Sequence, residues 1–418
     1  MKTKSSYMPM LIIGVLFFIF GFVTWLNGSL IPFLKVICDL NEFEALFVTF
    51  AFYIAYTVMA FPMALLVEKT GYKNGMALGL GVMAIGSLLF IPAAFTGEYF
   101  LFLLALFTMG TGLTILQTAS NPYIVLIGPI ESAAMRISIM GLINKSAGIL
   151  APIIFTALIL SDISLTNEIT TLDKQVLAQQ LIDPYIIMAL ILSALILLIQ
   201  FTSLPELEFA NDVYDDVSIF SFPQVVLGAV ALFFYVGVEV IAGDTIGLYA
   251  QSIGVKNVTT LTSYTMTFMV LGYIVGVLFI PKYLTQAKAL LYSALGGILL
   301  VLGVAFSSVS ESYISEILWG WSGLATLPNS VVLISMLGFT NALVWPTIWP
   351  LALQGLGKHT AKGSALLIMA IAGGALLPLV FGKIAYLSGN MQLSYLSVIV
   401  CYVFILVYAL SWHKKISW

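Results

Sequence analysis

Charge is scarce in this chain. Sixteen Lys and Arg and 19 Asp and Glu make up only 8% of its 418 residues, against about 25% in a soluble globular domain. That excludes a fold whose whole surface faces water. The net charge of -3 offers no basic field for a nucleic-acid partner. The two cysteines, Cys38 and Cys401, lie at opposite ends of the sequence, so neither a disulfide framework nor a thiolate metal site is supported. His359 and His413, the two histidines, fall in expected cytoplasmic segments. Connections long enough to hold a soluble domain are lacking, and with them a catalytic constellation, so the chain is not expected to be an enzyme or a sensor. A cleavable signal peptide is not expected either. The first apolar stretch is too long and has no small-residue cleavage site, and it reads as a first membrane span.

What the sequence has instead is apolar length. It is 61% hydrophobic, with a mean hydropathy of +1.08. A bilayer core of ~30 Å takes about 20 apolar residues per helix. Twelve candidate spans fit, at about 8–35, 43–67, 75–95, 98–127, 135–160, 185–205, 222–251, 258–281, 287–307, 330–355, 360–385 and 392–413. The runs are continuous rather than alternating, which argues against a β-barrel. With the N-terminus inside, eleven basic residues, among them Lys69, Lys73, Arg136 and Lys288, fall on the cytoplasmic side and four (Lys35, Lys174, Lys256 and Lys383) on the other. This places both termini in the cytoplasm. The acidic stretch 206–221 is the one polar linker near the middle. It separates a six-helix bundle at 1–205 from another at 222–418. The halves echo each other: NPYIVLIGP (121–129) is followed by Arg136, and WPLALQGLG (349–357) by Lys362. Parallel halves of this kind mark the major facilitator architecture, an all-α membrane fold of twelve transmembrane helices in two pseudo-symmetric bundles.

Three charges fall within the apolar runs: Lys145, Glu239 and Asp244. A charge at bilayer depth costs at least ~2.5–3.5 kcal/mol and marks an ion or substrate path. Lys145 is too far from either end of its span to snorkel, so it needs water, an acid, or nearby carbonyls. Glu239 and Asp244 are the intramembrane acids on offer, which suggests a charge pair bridging the halves. Spaced five apart, the acids lie roughly 140° from each other on an ideal helix; they share a face only if the helix opens, which Gly243 would permit. Helix breakers also stand near mid-membrane, at Gly28, at Gly237 and Gly243, and most densely at Pro346 and Pro350 between Trp345 and Trp349.

Five segments, in order, resemble motifs of the fucose–galactose–glucose symporters of the major facilitator superfamily. They are LNGSLIPFL (26–34), NEFEALFVTFAFYIAY (41–56), LQTASNPYIVLIGP (116–129), FFYVGVEV (233–240) and VWPTIWPLALQGLGKHTAKGSALLIMAIAGG (344–374). The resemblance implies secondary active uptake of a hexose or deoxyhexose, coupled to a cation gradient, across a bacterial inner membrane. Departures from the proton-coupled pattern are specific. Gly28 stands where an Asp follows the first-helix Asn, Gln117 where a Glu is found, and Lys145 where a Ser follows Asn144. The tenth-helix aromatic is kept as Trp345.

A sugar needs fixed amides or carboxylates for its hydroxyls and an aromatic platform for its ring face. The candidates are Asn27, Gln117, Asn121, Asn144, Asn341, Trp345 and Trp349, with interhelical hydrogen bonding as the competing role for each amide. Gln117 and Asn121, spaced i, i+4, share a face. Cation coupling falls to Glu239, Asp244 and Lys145. Losing the two acids of the proton mechanism leans the expectation toward sodium held by Glu239 and Asp244, although a nearby ammonium repels sodium. Glu68, Lys69, Lys73 and Arg136 are expected to latch a cytoplasmic gate; positive-inside topology explains the bases, but not Glu68. The reading is a monomeric importer of a neutral monosaccharide of the glucose, galactose or mannose type, partnered by the lipid bilayer, with no cofactor beyond its coupling ion. The rivals are an exporter of amphipathic compounds on the same fold and an uncoupled sugar facilitator.

Overall fold

The computed structural model describes residues 7–127, 133–159, 171–202, 204–205, 218–280, 282–356, 359–415 and 417–418. Among the described residues, twelve helices are long and apolar enough to cross a membrane: α1 (Met8–Ile37), α2 (Glu42–Met63), α3 (Leu65–Thr96), α4 (Tyr99–Asn121), α5 (Arg136–Ile159), α6 (Lys174–Phe201), α7 (Pro223–Asp244), α8 (Val258–Phe279), α9 (Gln286–Phe306), α10 (Asn329–Leu353), α11 (Leu366–Ser388) and α12 (Met391–Lys414). An even number of crossings puts both chain ends on one face, here the terminal face; the opposite one is the distal face. Residues 206–217 of the expected linker lie outside the described residues. The last of it forms a short 3-10 turn, Ile219–Ser221.

The span count agrees with the sequence, and the ends differ for local reasons. α2 and α3 form one helical hairpin. The segment expected as a loop stays helical except at Gly71, whose φ of 80° supplies the reversal at little steric cost. α6 starts early because an amphipathic helix, Thr171–Gln179, leads into it. α7 stops at Asp244, and the chain continues after Thr245 as a separate short helix, Ile246–Ser252.

Large apolar side chains such as Phe61, Leu190, Phe201, Leu299 and Leu387 point outward, as a surface in hydrocarbon requires. Inside, the halves meet along a seam in which α5 packs on α8, α2 on α11, and α1 on α7 and α8. On the distal face Lys35 pairs with Glu42 at 2.8 Å, and Lys174 pairs with Asp39. Cys38 lies beside them, and burial pushes its thiol up to about 12. Cys401 is buried in α12.

Candidate functional site

The site is organised by the end of α7. A helix leaves its last carbonyls without internal partners, and in a membrane these must be met by protein or water. Here α8 meets them. Thr262 Oγ1 donates to the Gly243 carbonyl at 2.7 Å, and Thr265 Oγ1 to that of Ala242 at 3.3 Å. Thr245, at the break, donates back to the Ile241 carbonyl at 2.7 Å and lies 2.8 Å from the Tyr395 hydroxyl. The break is thereby fixed one residue after Asp244, and the helix does not open at Gly243.

The two acids therefore stay on different faces and keep different company. Lys145 of α5 reaches across the seam to Glu239, with Nζ 2.6 Å from Oε1. The ammonium also lies 4.3 Å from the centre of the Trp25 ring, an additional cation–π contact. Both side chains are about nine-tenths buried, at 11% and 10% exposed. Asp244 is completely buried. Its Oδ2 accepts from Thr49 Oγ1 of α2 at 3.2 Å, and its Oδ1 is buried with no partner among the described residues. The expected cross-half charge pair is thus Lys145 with Glu239. Glu239 and Asp244, expected as a shared cation site, thus each have a separate partner from the first half. No group of three or more His, Cys, Asp or Glu that could hold a metal occurs among the described residues.

Close backbone approach makes this seam possible. A Cβ on Gly28 would stand 3.0 Å from the Gly243 carbonyl oxygen, and one on Gly243 would stand 2.6 Å from the Trp25 ring. A side chain therefore has no room at Gly28 in this arrangement. Further hydrogen bonds join the halves toward the distal face. Ser29 Oγ donates to the Thr259 carbonyl at 2.6 Å, Thr156 and Thr259 share a hydroxyl contact at 2.7 Å, and Ser263 Oγ donates to the Ile149 carbonyl at 2.7 Å.

The amides divide into two groups. Gln117 is buried on α4 and donates to the Tyr56 hydroxyl; Asn121, one turn on, is half-buried. Asn27 of α1 is buried with its Nδ2 unpartnered. By contrast, Asn144 donates to the Phe17 carbonyl at 3.4 Å, joining α5 to α1 within one half. Asn341 accepts from the Tyr402 hydroxyl at 2.8 Å, joining α10 to α12 within the other, with its Nδ2 unpartnered. Both bonds, like that of Gln117 to Tyr56, join helices within one half. The aromatic candidates come together: the rings of Trp345 and Trp349 lie 5.5 Å apart, and Tyr235 lies 6.4 Å from Trp345. The break in α10 presents them. Its two segments, Asn329–Asn341 and Val344–Leu353, part at Ala342 and Leu343, where Pro346 has no N–H to offer the Ala342 carbonyl. Thr347 Oγ1 covers the Leu343 carbonyl at 2.6 Å. Buried donors with no protein partner also include Trp25 Nε1, Trp349 Nε1 and Thr24 Oγ1.

Two of the residues expected at a cytoplasmic gate bond to carbonyls of their own half. Lys73 donates to the carbonyls of Gln200 and Thr202 at 3.1 and 2.9 Å, and Arg136 Nε to that of Ile124 at 2.8 Å. All three bonds stay within the first half, tying α3 to α6 and α5 to the end of the α4 helix. Glu68 and Lys69 are exposed. Sequence reasoning missed Trp25, Thr49 and Tyr56. Thr49 and Tyr56 are spaced i, i+7 on the seam-facing side of α2, a signal that a search limited to charges and amides passes over.

The Major Facilitator Superfamily profile matches residues 13–378. A glucose/galactose transporter of Brucella abortus is 34% identical over 411 residues, covering 96% of this chain and 93% of that one. The L-fucose-proton symporter of Escherichia coli K12 is 28% identical over 431 residues, covering 98% and 94%. The solved structure of the E. coli fucose:proton symporter in its outward conformation superposes with a TM-score of 0.72 at 25% identity, covering 99% of this chain and all of that one. The inward-open xylose transporter of E. coli, at 14% identity and a TM-score of 0.68 over 97% of this chain and 95% of that one, shares the fold.

Proposed function

Because the chain belongs to the Major Facilitator Superfamily, in its fucose–galactose–glucose symporter family, we propose that it imports a neutral hexose of the glucose or galactose type by cation symport. It is a multi-pass inner-membrane sugar transporter, not an enzyme. The two halves rock about the seam, and the bias of basic residues toward the terminal face makes that face cytoplasmic. The cross-seam hydrogen bonds then close the outer side. The observation that carries the substrate reading is the set of buried, unpartnered donors on Trp25, Asn27 and Trp349, together with the tilted pair of indoles on α10, Trp345 and Trp349. Unmet polar groups are costly in a dry site, and a polyhydroxylated ring with an apolar face answers both features. An exporter of amphipathic compounds would call for a wide apolar cavity rather than unmet donors.

The coupling ion is a proton in this reading. The sequence leaned toward sodium, but Glu239 already holds an ammonium at 2.6 Å, which would repel a sodium ion there. The likeness to proton-coupled fucose symporters points the same way. Uptake of labelled hexoses into proteoliposomes, with pH and sodium gradients imposed separately, tests both parts. A pH gradient alone should drive accumulation of one hexose, and unlabelled sugar should compete. Accumulation driven by sodium alone would replace the proton. Equilibration without accumulation under either gradient would make the protein a facilitator.

A further inference from the structure

Two carboxylates ride on α7, and the opposite half treats them differently. Glu239 is met by a cation that belongs to the protein, the Lys145 ammonium, which is itself braced on Trp25. Asp244, about 7.5 Å further along the helix axis, is met among the described residues only by the neutral Thr49 hydroxyl and keeps one oxygen unpartnered there. The titratable groups that bear on Asp244 are Glu239 on its own helix and Tyr53 on α2. The threonines of α8 at this level are engaged by α7 carbonyls. Lys145 is committed to Glu239.

An ionised carboxylate sealed away from water without a counter-charge is very costly, so each acid must be neutralised when the seam closes. Glu239 is neutralised from inside the protein. Asp244 can be neutralised only by something that enters with the substrate. We infer that Lys145 is a tethered cation standing at Glu239 in place of a second transported ion, and that Asp244 alone binds the driving cation, fixing the ratio at one ion per sugar. This rests on the symport reading above. When the seam opens, water solvates both members of the Lys145–Glu239 pair. When it closes, they neutralise each other, and no ion is carried at that position.

The test is the steady-state accumulation of labelled hexose by the full chain in proteoliposomes, with the membrane potential clamped at zero and a tenfold pH or sodium gradient imposed in separate arms. Tenfold corresponds to 1.4 kcal/mol, so one coupled ion supports about tenfold accumulation and two support about a hundredfold. The wild type should reach the tenfold limit in one arm, which also identifies the ion. Lys145→Gln frees Glu239 and should raise the limit toward a hundredfold. Asp244→Asn should concentrate nothing while still exchanging labelled for unlabelled sugar. The double variant K145Q/E239Q removes the tethered cation and its acceptor together and should return to tenfold; it remains informative if Lys145→Gln does not fold. A limit unchanged in Lys145→Gln, tenfold accumulation by Asp244→Asn, or a double variant far from tenfold would overturn the inference. A wild type that concentrates sugar in neither arm would instead overturn the symport reading itself.

Discussion

The two halves bring unlike chemistry to equivalent places. In the sequence echo, Gln117 and Asn121 of α4 occupy the positions of Trp345 and Trp349 of α10, with the same i, i+4 spacing. The first half therefore offers carboxamides where the second offers indoles. The charges divide in the same way: the first half brings the base, Lys145, and the second brings both acids, Glu239 and Asp244. α4 is an unbroken helix from Tyr99 to Leu126, whereas α10 is interrupted. Neither half is complete alone. In the proposed reading, hydroxyl recognition and ring stacking come from opposite sides, and the Lys145–Glu239 pair is made of one residue from each. Alternating access would then also be an alternation between hydrated and mutually neutralised charges.

Removing one side of the charge balance should have the largest effect. Glu239→Ala leaves Lys145 facing the second half with no acid, and breaking a buried pair in this way costs about 3–5 kcal/mol. Thermal unfolding in detergent should show a large drop that K145A/E239A largely recovers; equal destabilisation of both variants would mean the halves do not balance each other there. Next comes the indole side. Trp345→Ala should weaken sugar affinity by about thirtyfold, on the scale of ~2 kcal/mol for a buried aromatic anchor, while Trp345→Phe keeps most of it; competition in counterflow assays measures both. On the amide side, Gln117→Ala should cost about tenfold in affinity, from the ~1–3 kcal/mol of a lost buried hydrogen bond. Asn144→Ala should leave affinity close to wild type, because that amide serves α1. If the two amide variants behave alike, the division between binding and packing amides fails. The smallest effect belongs to Lys73→Ala. Its bonds, one of them exposed and one half-buried, stay within one half, so the change should be under about 1 kcal/mol in stability, with the transport rate unaltered.

The spans were legible because apolar length is the signal a bilayer imposes, and it survives any detail of packing. The intramembrane charges were legible for the same reason, in reverse. Which acid met Lys145 was not, because that depends on where α7 breaks. The break is set by Thr262 and Thr265, side chains from another helix that look unremarkable in sequence. Asn144 and Asn341 show the same limit. The bonds of these amides to the Phe17 carbonyl and the Tyr402 hydroxyl depend on which helices are neighbours, which the sequence does not state. Gly28 was read as a helix breaker, yet its structural role is to let α1 approach the end of α7. Lys73 and Arg136 matched a gate pattern, and their carbonyl partners turned out to lie within a single half.

The sheltered positions of the two thiols have a practical consequence. Cys401 is enclosed by α12 and its neighbours, and at Cys38 so little thiolate exists near neutral pH that alkylating reagents should react slowly. The native chain can therefore serve as its own quiet background. Single reporter cysteines added at the two ends of the seam could carry spin labels or fluorophores, and the rocking could be followed without first stripping the protein of its natural sulfur.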